Sequence, residues 1–369
     1  MTLFNNNKII NLAFLIGKVE NIGGVPRVVS LLTDSLLKTG EYKIHIISYL
    51  KGSNEGYSWN DKIEFHHLME SPKPLKKGIF KSTLKLKKIL LNNKIDVLVS
   101  CGSLYGPLGI LATRFTKTKS IYWDHSNFFE STSHDYKIES KKFTARFADA
   151  VVPLTKHDKI NYEKHTKAKL VFQIYNPIDS KLEGLVHNYD ESSKKIISVG
   201  RLTEQKNFLL LIDIAKIVLQ KRPDWSWDIY GSGPQYDRII EKINVNNLND
   251  SIFLKGQSND LYSLYKEYSF MVMTSIYEGF PMTLLEGVAN KLPLISFDIE
   301  TGPNEIIIQN ENGFLIKPFL IDEMANRIIE LIDNKKMRLE FSDNNLKHIE
   351  NFNMKSITTK WGNLLKEIN

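Results

Sequence analysis

Several features that define other protein classes are missing from this chain of 369 residues. Its single cysteine, Cys101, rules out an internal disulfide, which fits a reducing compartment. No apolar run approaches the ~18 residues that a transmembrane helix needs. The apolar stretch 9–17 is interrupted by Asn11 and is not followed by a small-residue cleavage site. We therefore interpret it as a buried first strand rather than a signal peptide.

Motifs for several kinds of chemistry are missing as well. The chain has no G-x-G-x-x-G fingerprint, so binding of a nicotinamide dinucleotide is not indicated. It has no D-x-D pair of the kind that holds a metal ion, and no His/Cys cluster with zinc spacing. We therefore expect no metal and no other cofactor, and we interpret His66, His67 and His134 as ordinary residues.

Apolar runs typical of buried strands alternate with amphipathic helical segments along the chain. The polar stretch 176–193 divides this alternation into two series. Strands are predicted at 9–16, 42–49, 94–100, 119–123 and 149–154 in the first series, and at 195–199, 226–230, 251–254, 270–274 and 294–297 in the second. The pattern predicts an α/β protein with two doubly wound, Rossmann-like parallel-sheet domains, residues 1–177 and 178–353.

Positive charge is concentrated in the first half of the chain. Residues 1–170 hold 27 Lys+Arg and 15 Asp+Glu, whereas the remainder holds 22 and 27. A basic patch between residues 73 and 88 alternates with apolar residues, and its lysines include Lys73, Lys76, Lys77, Lys81 and Lys85. Such an amphipathic stretch favours an anionic membrane or a lipid pyrophosphate, with a solvated helix face as the alternative. No recognisable nucleic-acid module accompanies it, so we do not expect nucleic acid as a partner.

The segment 278–287, Glu-Gly-Phe-Pro-Met-Thr-Leu-Leu-Glu-Gly, carries two carboxylates eight residues apart. A buried strand precedes it at 270–274, and Pro281 fits the first turn of the helix that follows. Carboxylates at both ends, Glu278 and Glu286, with amides between them suit a phosphate flanked by sugars. The amides that would form an anion site at the helix start are those of Met282, Thr283 and Leu284.

Cationic residues follow the first strand of the second series. Gly200 ends that strand, so Arg201 emerges at the carboxyl edge of the sheet, and Lys206 follows near the start of the next helix. The planar fork of arginine and the point charge of lysine together suit a diphosphate. Gly24, in the turn after the first strand, would let the backbone approach a ligand phosphate or reacting sugar.

Segment 278–287 with its flanking strand and helix, together with Arg201 and Lys206, resembles the E-x7-E signature of retaining glycosyltransferases of family four. The resemblance covers essentially the whole chain and is most specific over residues 195–315. It implies the GT-B fold, in which two Rossmann-like domains face each other across a cleft. It also implies that the final helix, 354–369, packs back on the first domain, with Trp361 as its anchor.

The resemblance assigns roles to single residues. Glu286 would hold the ribose hydroxyls, Glu278 the donor-sugar hydroxyls near the anomeric carbon, and Arg201 and Lys206 the leaving diphosphate. Further donor contacts would come from Gly24, Gly231, Gly256, Phe280, Pro281, Met282, Thr283 and Leu284.

The family also has a functional histidine at the end of a comparable strand. His125 follows the strand 119–123, and we expect it near the donor sugar, with Asp124 orienting its ring.

The resemblance therefore implies a retaining hexosyltransferase. It would move a hexose or N-acetylhexosamine from a nucleotide sugar, UDP-linked, to a lipid-linked or polysaccharide acceptor in bacterial O-antigen, capsule or lipopolysaccharide synthesis. We expect a cytoplasmic protein, peripheral on the inner face of the cytoplasmic membrane. Three alternatives remain: a sugar-nucleotide epimerase or hydrolase, a soluble-acceptor disaccharide synthase, and a non-enzymatic membrane or nucleic-acid-binding protein.

Overall fold

The computed structural model describes residues 9–19, 23–52, 59–71, 75–129, 136–182, 189–258 and 260–369, with only the backbone described at 75–77. The chain divides into two compact units. Unit 1 comprises Met1–Pro177 and Met354–Asn369, and unit 2 comprises Ile178–Asn353. Each unit is built on one six-stranded parallel sheet with helices around it, which confirms the predicted fold class.

The sheet of unit 1 contains six parallel strands. They are β1 (Ile10–Ile16), β2 (Tyr42–Leu50), β3 (Glu64–Met69), β4 (Val97–Cys101), β5 (Lys119–Asp124) and β6 (Ala150–Pro153). Their order across the sheet is β3-β2-β1-β4-β5-β6, so the winding direction reverses between β1 and β4. Ligands of such sheets bind beyond the carboxyl ends of the strands, near the point of reversal.

Five helices of unit 1 connect these strands. They are α1 (Gly24–Lys38), α2 (Leu75–Asn92), α3 (Gly106–Thr113), α4 (Tyr136–Phe147) and α5 (Lys156–His165). Leu86 and Leu90 of α2 and Leu108 of α3 are buried in one cluster with Ile47 and Leu98 of the sheet. Helices α2 and α3 therefore cover one face of the sheet with their apolar sides.

Unit 2 repeats the architecture. Its strands are β7 (Lys195–Val199), β8 (Ser226–Tyr230), β9 (Ile252–Gly256), β10 (Phe270–Met273), β11 (Leu294–Phe297) and β12 (Gly313–Ile316), in the order β12-β11-β10-β7-β8-β9. Its helices are α6 (Phe208–Lys221), α7 (Tyr236–Val245), α8 (Leu261–Leu264), α9 (Met282–Ala289), α10 (Ile321–Asp333) and α11 (Lys335–His348). The winding direction reverses between β10 and β7, which are central strands of this sheet.

The last helix, α12 (Met354–Ile368), belongs to unit 1 although it follows unit 2 in the chain. The hydroxyls of Ser35 on α1 and Thr358 on α12 lie 2.7 Å apart. Trp361 is fully buried, and its ring lies edge-on to Trp123 of β5 with the centroids 4.8 Å apart. A buried aromatic pair of this kind holds the helix on the sheet more firmly than its area alone would.

Two strands of the structure were not predicted, β3 and β12, and each lies at the edge of its sheet. β3 buries only its last two residues, so it lacks the continuous apolar run that marks a central strand. The predicted strand 94–100 begins only at Val97, because Lys94 adopts a left-handed conformation with φ 49°.

Candidate functional site

Segment 278–287 lies at the carboxyl end of the unit 2 sheet. β10 is fully buried, a loop follows it, and α9 begins at Met282. Pro281 occupies the cap position before the helix, with φ −74° and ψ 106°, rather than the predicted first helical turn. Proline suits this position because its ring fixes φ near that value and its missing N–H needs no partner. The predicted order of strand, loop and helix is confirmed.

Lys206 and Glu278 form an ion pair at this edge. Lys206 Nζ lies 2.5 Å from Glu278 Oε1, and the two side chains are only 13% and 8% exposed. The lysine is carried by a short 3-10 helix, Glu204–Lys206. Gln205 ties that helix to the loop, since its side chain donates to the Tyr277 carbonyl at 3.0 Å. The two charged groups were predicted but their pairing was not, because 72 residues separate them.

Glycines bring the ends of β7, β8 and β9 close together. The Gly231 N–H donates to the Gly256 carbonyl at 2.8 Å. Gly231 has φ 143°, and a Cβ there would lie 1.8 Å from the Gly200 carbonyl oxygen, so only glycine fits. At Gly200 a Cβ would lie 3.2 Å from Lys206 Cδ, so the lysine stem runs directly over this glycine. The glycines therefore shape the floor on which Lys206 lies.

Arg201 differs from Lys206 in being exposed and in having no side-chain partner among the described residues. It lines an open cavity of about 510 Å³ in unit 2, together with Gln205, Arg238 and Tyr277. Two guanidinium groups at one cavity favour an anionic ligand, because each offers a planar fork of donors.

Glu286 lies in α9 and is only 4% exposed. Its Oε2 accepts a hydrogen bond from the Tyr265 hydroxyl at 2.5 Å. This contact fixes the orientation of the carboxylate, which prepares it to accept hydroxyl hydrogen bonds without further loss of side-chain freedom. Sequence reasoning missed Tyr265, because no motif or regular spacing connects it with Glu286.

The start of α9 offers fewer amides than predicted. The Leu284 N–H donates to the Pro281 carbonyl at 3.1 Å and so is already engaged. The amides of Met282 and Thr283 have no acceptor among the described residues, and both residues are partly exposed. These two groups are the donors that the helix end presents to an anion.

Two residues predicted to contact the donor, Phe280 and Leu284, have side chains that point into the protein. The Leu284 side chain is fully buried. Phe280 is 5% exposed, and its ring packs 5.7 Å from that of Phe352 within unit 2. Gly24 lies in unit 1 at the first position of α1 and is exposed, with nothing within 4 Å of a Cβ added there. The side chains of Phe280 and Leu284 stabilise the segment that holds Glu278 and Glu286.

His125 lies in unit 1 directly after β5, and its ring packs 4.3 Å from that of Trp123. The residue is partly exposed, yet its Nε2 is enclosed and has no hydrogen-bond partner among the described residues. This burial lowers the pKa of the imidazole to about 4. The ring is therefore neutral at pH 7 and offers one donor and one acceptor nitrogen.

Asp124 does not orient this ring, contrary to the prediction. Its carboxylate accepts hydrogen bonds from the Tyr162 hydroxyl at 2.6 Å and the Ser126 hydroxyl at 3.0 Å. It also lies 3.1 Å from Lys141 Nζ, and these two charged side chains are 0% and 1% exposed. No hydrogen bond joins Asp124 to the His125 imidazole in the described part of unit 1. Asp124 instead stabilises the loop that carries His125.

The basic patch lies largely on α2. Three of its lysines fall outside what the structure describes, namely Lys73 and the side chains of Lys76 and Lys77. Lys81 is exposed and Lys85 is partly buried. Between and beside them Phe80 and Leu84 are 77% and 54% exposed. In the described ranges, no helix is both long enough and apolar enough to cross a bilayer.

Comparisons with known proteins identify the family and the fold. The family described as Glycosyltransferase Family 4 matches residues 22–182, and the family described as Glycosyl transferases group 1 matches residues 185–348. The chain belongs to the family-four glycosyltransferases of GT-B fold. The predicted family is confirmed, and the two matched regions together span most of both units.

Relatives with assigned activities include two bacterial enzymes. The glycosyltransferase is 29% identical over 361 residues to the amylovoran biosynthesis glycosyltransferase AmsD of Erwinia amylovora, covering 96% of this chain and 99% of that one. It is 27% identical over 295 residues to the UDP-Gal:alpha-D-GlcNAc-diphosphoundecaprenol alpha-1,3-galactosyltransferase of Escherichia coli, covering 74% of this chain and 76% of that one. The glycosyltransferase therefore has relatives in the synthesis of cell-surface glycans.

Solved structures agree on the fold. The crystal structure of a mutant of S. aureus TarM, in complex with fondaparinux, alpha-GlcNAc-glycerol and UDP, superposes with a TM-score of 0.81. The sequences are 18% identical, and the match covers 97% of this glycosyltransferase and 100% of that chain.

Proposed function

We propose that this glycosyltransferase moves a hexose or N-acetylhexosamine from a UDP-sugar, with retention of configuration, to a lipid-linked or polysaccharide acceptor of a bacterial surface glycan. The observation that carries the proposal is the nearly buried Lys206–Glu278 pair on a floor of glycines, in the same segment as Glu286. Opposite charges held next to each other in a dry site suit a donor that brings phosphate and sugar hydroxyls together.

The donor side of the proposal rests on the charges at the edge of the unit 2 sheet. Arg201 is exposed and the Lys206 side chain is 13% exposed, so a diphosphate could reach both cations. The amides of Met282 and Thr283 add donors at the start of α9. Glu286 would accept hydrogen bonds from the ribose hydroxyls. Because the sequence carries no D-x-D motif, we assign the neutralisation of the leaving diphosphate to these cations.

Retention requires the acceptor oxygen to attack the anomeric carbon on the face from which the diphosphate leaves. The bond between that carbon and the diphosphate oxygen breaks as the new glycosidic bond forms, and the acceptor proton passes to the departing phosphate. Glu278 would hold donor-sugar hydroxyls near the anomeric carbon, and Lys206 would stabilise the charge that develops on the phosphate. His125, neutral at pH 7, would hydrogen-bond a hydroxyl of the donor sugar.

A lipid-linked acceptor at the membrane is supported by the surface of unit 1. Phe80 on α2 is 77% exposed, and Phe115, just after α3, is 91% exposed. The Arg114 guanidinium lies 5.6 Å from the Phe115 ring, and Lys87 Nζ donates to the Arg114 carbonyl at 3.0 Å. Exposed phenylalanines among cations favour the interface of an anionic bilayer. The E. coli relative is named for an acceptor on a diphosphoundecaprenol lipid, which supports the same choice.

The first test screens the purified protein against a panel of nucleotide sugars by thermal shift and donor hydrolysis. We expect one UDP-sugar to raise the melting temperature, because a ligand that binds only the folded form stabilises it in proportion to occupancy. Glu286→Gln should abolish the shift, whereas Glu323→Gln, which changes an exposed carboxylate on α10, should retain it. A response to no nucleotide sugar would overturn the donor assignment.

The reaction type is tested with the donor found in that screen and an acceptor lipid. Proton NMR of the product should show the anomeric configuration of the donor, and an inverted product would contradict the same-face route. Turnover of the donor at an equal rate with and without any acceptor would favour the epimerase or hydrolase alternative.

A further inference from the structure

Three polar residues that are scattered in the sequence meet at one edge of the unit 1 sheet. β3 pairs in parallel with β2, and the register places Glu64 opposite His45. Because side chains alternate along a strand, Glu64 and His66 lie on the same face of β3. His45 Nδ1 lies 3.2 Å from His66 Nε2 and 3.4 Å from Glu64 Oε2.

The geometry points to a zinc site at this edge, with His45 Nδ1, His66 Nε2 and Glu64 Oε2 as ligands and a fourth position for water. One ligand atom from each residue lies within 4.8 Å of the other two. Four ligands at 2.0–2.1 Å from a tetrahedral zinc ion are about 3.3 Å apart, which matches the separations of 3.2 and 3.4 Å. Magnesium and calcium prefer oxygen ligands and do not suit two imidazoles.

Burial supports a site that is rooted in the sheet and open on one side. The His45 side chain is fully buried, whereas Glu64 is 44% exposed, so an ion has a route of entry past the carboxylate. Lys43 Nζ lies 2.7 Å from Glu64 Oε1. The lysine thereby holds one carboxylate oxygen and leaves the other directed at the histidines, as an outer partner of a metal ligand does.

The position of the cluster suggests what the ion does. β3 is the edge strand of its sheet and buries only its last two residues, so few apolar contacts hold it on β2. An ion bound by one residue of β2 and two of β3 would join the strands across their ladder. The site therefore serves stability of the sheet edge, and sugar transfer by the residues of unit 2 does not depend on it.

The test uses the untagged full-length protein after treatment with EDTA, titrated with zinc chloride in a calorimeter. We expect one ion per chain, and a rise of the melting temperature of about 5 °C at a hundredfold excess over the dissociation constant. Cobalt in place of zinc should give the visible absorption of a tetrahedral complex. Absence of binding to the wild-type protein, or absorption typical of an octahedral complex, would overturn the inference.

The matched variants are His66→Gln, Glu64→Gln and, as the control, His67→Gln. His67 is the neighbour of His66 on the opposite face of β3, where its Nε2 lies 2.6 Å from Glu70 Oε1. The first two changes should weaken zinc binding at least tenfold, and the control should leave it unchanged. Equal zinc affinity in His66→Gln and wild type would show that His66 is not a ligand, and would overturn the inference. Unchanged far-UV circular dichroism and donor hydrolysis in all three variants would show that the fold and the donor site are intact.

Discussion

Unit 1 and unit 2 each hold a lysine–carboxylate pair near the carboxyl ends of their sheet strands, but the two pairs differ in access. In unit 1, Lys141 and Asp124 are 0% and 1% exposed, and Tyr162 and Ser126 satisfy the carboxylate further. In unit 2, Lys206 and Glu278 retain 13% and 8% exposure. The first pair is sealed and internally satisfied, whereas the second keeps a small exposed fraction.

Burial, rather than the kind of residue, therefore separates a structural pair from a candidate binding pair. A fully enclosed pair is stable only if its remaining donors and acceptors are met by the protein, as they are around Asp124. A pair that is partly exposed, such as Lys206 and Glu278, can exchange its partners for those of a ligand. The units differ in a second way. Unit 2 carries most of the groups proposed for the donor, whereas unit 1 exposes cations and phenylalanines.

The largest expected effect comes from removing the charge of the open pair. Glu278→Gln should lower the rate of donor turnover about 10²–10³-fold, because a preorganised charge in a dry site is worth several kcal/mol to the transition state. The measurement is kcat for sugar transfer, and Glu323→Gln on α10 is the control. A decrease in kcat of less than threefold would contradict the assignment of Glu278 to the donor site.

Lys206 and Arg201 test whether pairing and ligand binding separate within unit 2. Lys206→Ala leaves the nearly buried Glu278 without its partner and should destabilise the protein by about 2–4 kcal/mol. Arg201→Ala removes an exposed side chain and should change stability by less than about 0.5 kcal/mol. Both changes should slow donor turnover at least tenfold. Stability is measured by urea unfolding, and turnover by initial rates.

The double variant Lys206→Met with Glu278→Gln sharpens this result. It removes both charges together, so stability should return most of the way to that of the wild type while activity stays low. Recovery of activity along with stability would mean that the pair is structural, as in unit 1.

The exposed surface of unit 1 is tested by vesicle binding. Lys81 and Lys88 are both exposed lysines of α2. Replacing them with Gln should lower the partition onto anionic phospholipid vesicles about 10–30-fold, since each lysine near such a surface contributes about 1 kcal/mol. Binding of the wild type should weaken at high salt. The control replaces Lys336 on α11 of unit 2, which is 87% exposed and lies outside the patch. An equal loss of vesicle binding in the control would show that the effect comes from net charge and not from the patch.

The smallest expected effect concerns acid. Burial lowers the pKa of His125 to about 4. Between about pH 6.5 and pH 4 the histidine is therefore protonated in the unfolded chain and neutral in the folded protein. Stability is therefore lost as the pH falls through this window, by about 1–2 kcal/mol for this residue at pH 5. Burial raises the pKa of Asp158 to about 6, which acts in the opposite direction and offsets part of the loss.

Hydrogen exchange at pH 5 and pH 7, corrected for the intrinsic rate, should show the loss of protection in unit 1. His125→Gln should reduce it, while His45, whose pKa burial also lowers to about 4, contributes equally to both proteins. In unit 2 the shifted carboxyls Asp190, Asp224 and Asp333 have lowered pKa values and titrate below this window. Equal loss of protection in the two units would contradict the assignment to His125.

The two strands that sequence analysis missed are edge strands, although the opposite edge strands, β6 and β9, were predicted. Central strands such as β7 and β11 match their predicted bounds, because burial on both faces favours a mostly apolar run. β3 buries only its last two residues, so its apolar pattern is weak, whereas β12 is a short run of four residues. The prediction for segment 278–287 succeeded for a related reason: strand, loop and helix follow one another within one short stretch, so local rules suffice.

Sequence analysis alone predicted the two α/β units, the family, and the carboxylates and cations of the candidate site. Tertiary structure alone decided which of these groups touch. Lys206 reaches Glu278 across 72 residues, and Tyr265 holds Glu286 from another element. His45 meets His66 through the register of two strands. Such contacts depend on chain path and strand register, which composition and periodicity do not encode, whereas helices and buried strands arise from interactions between near neighbours in the chain.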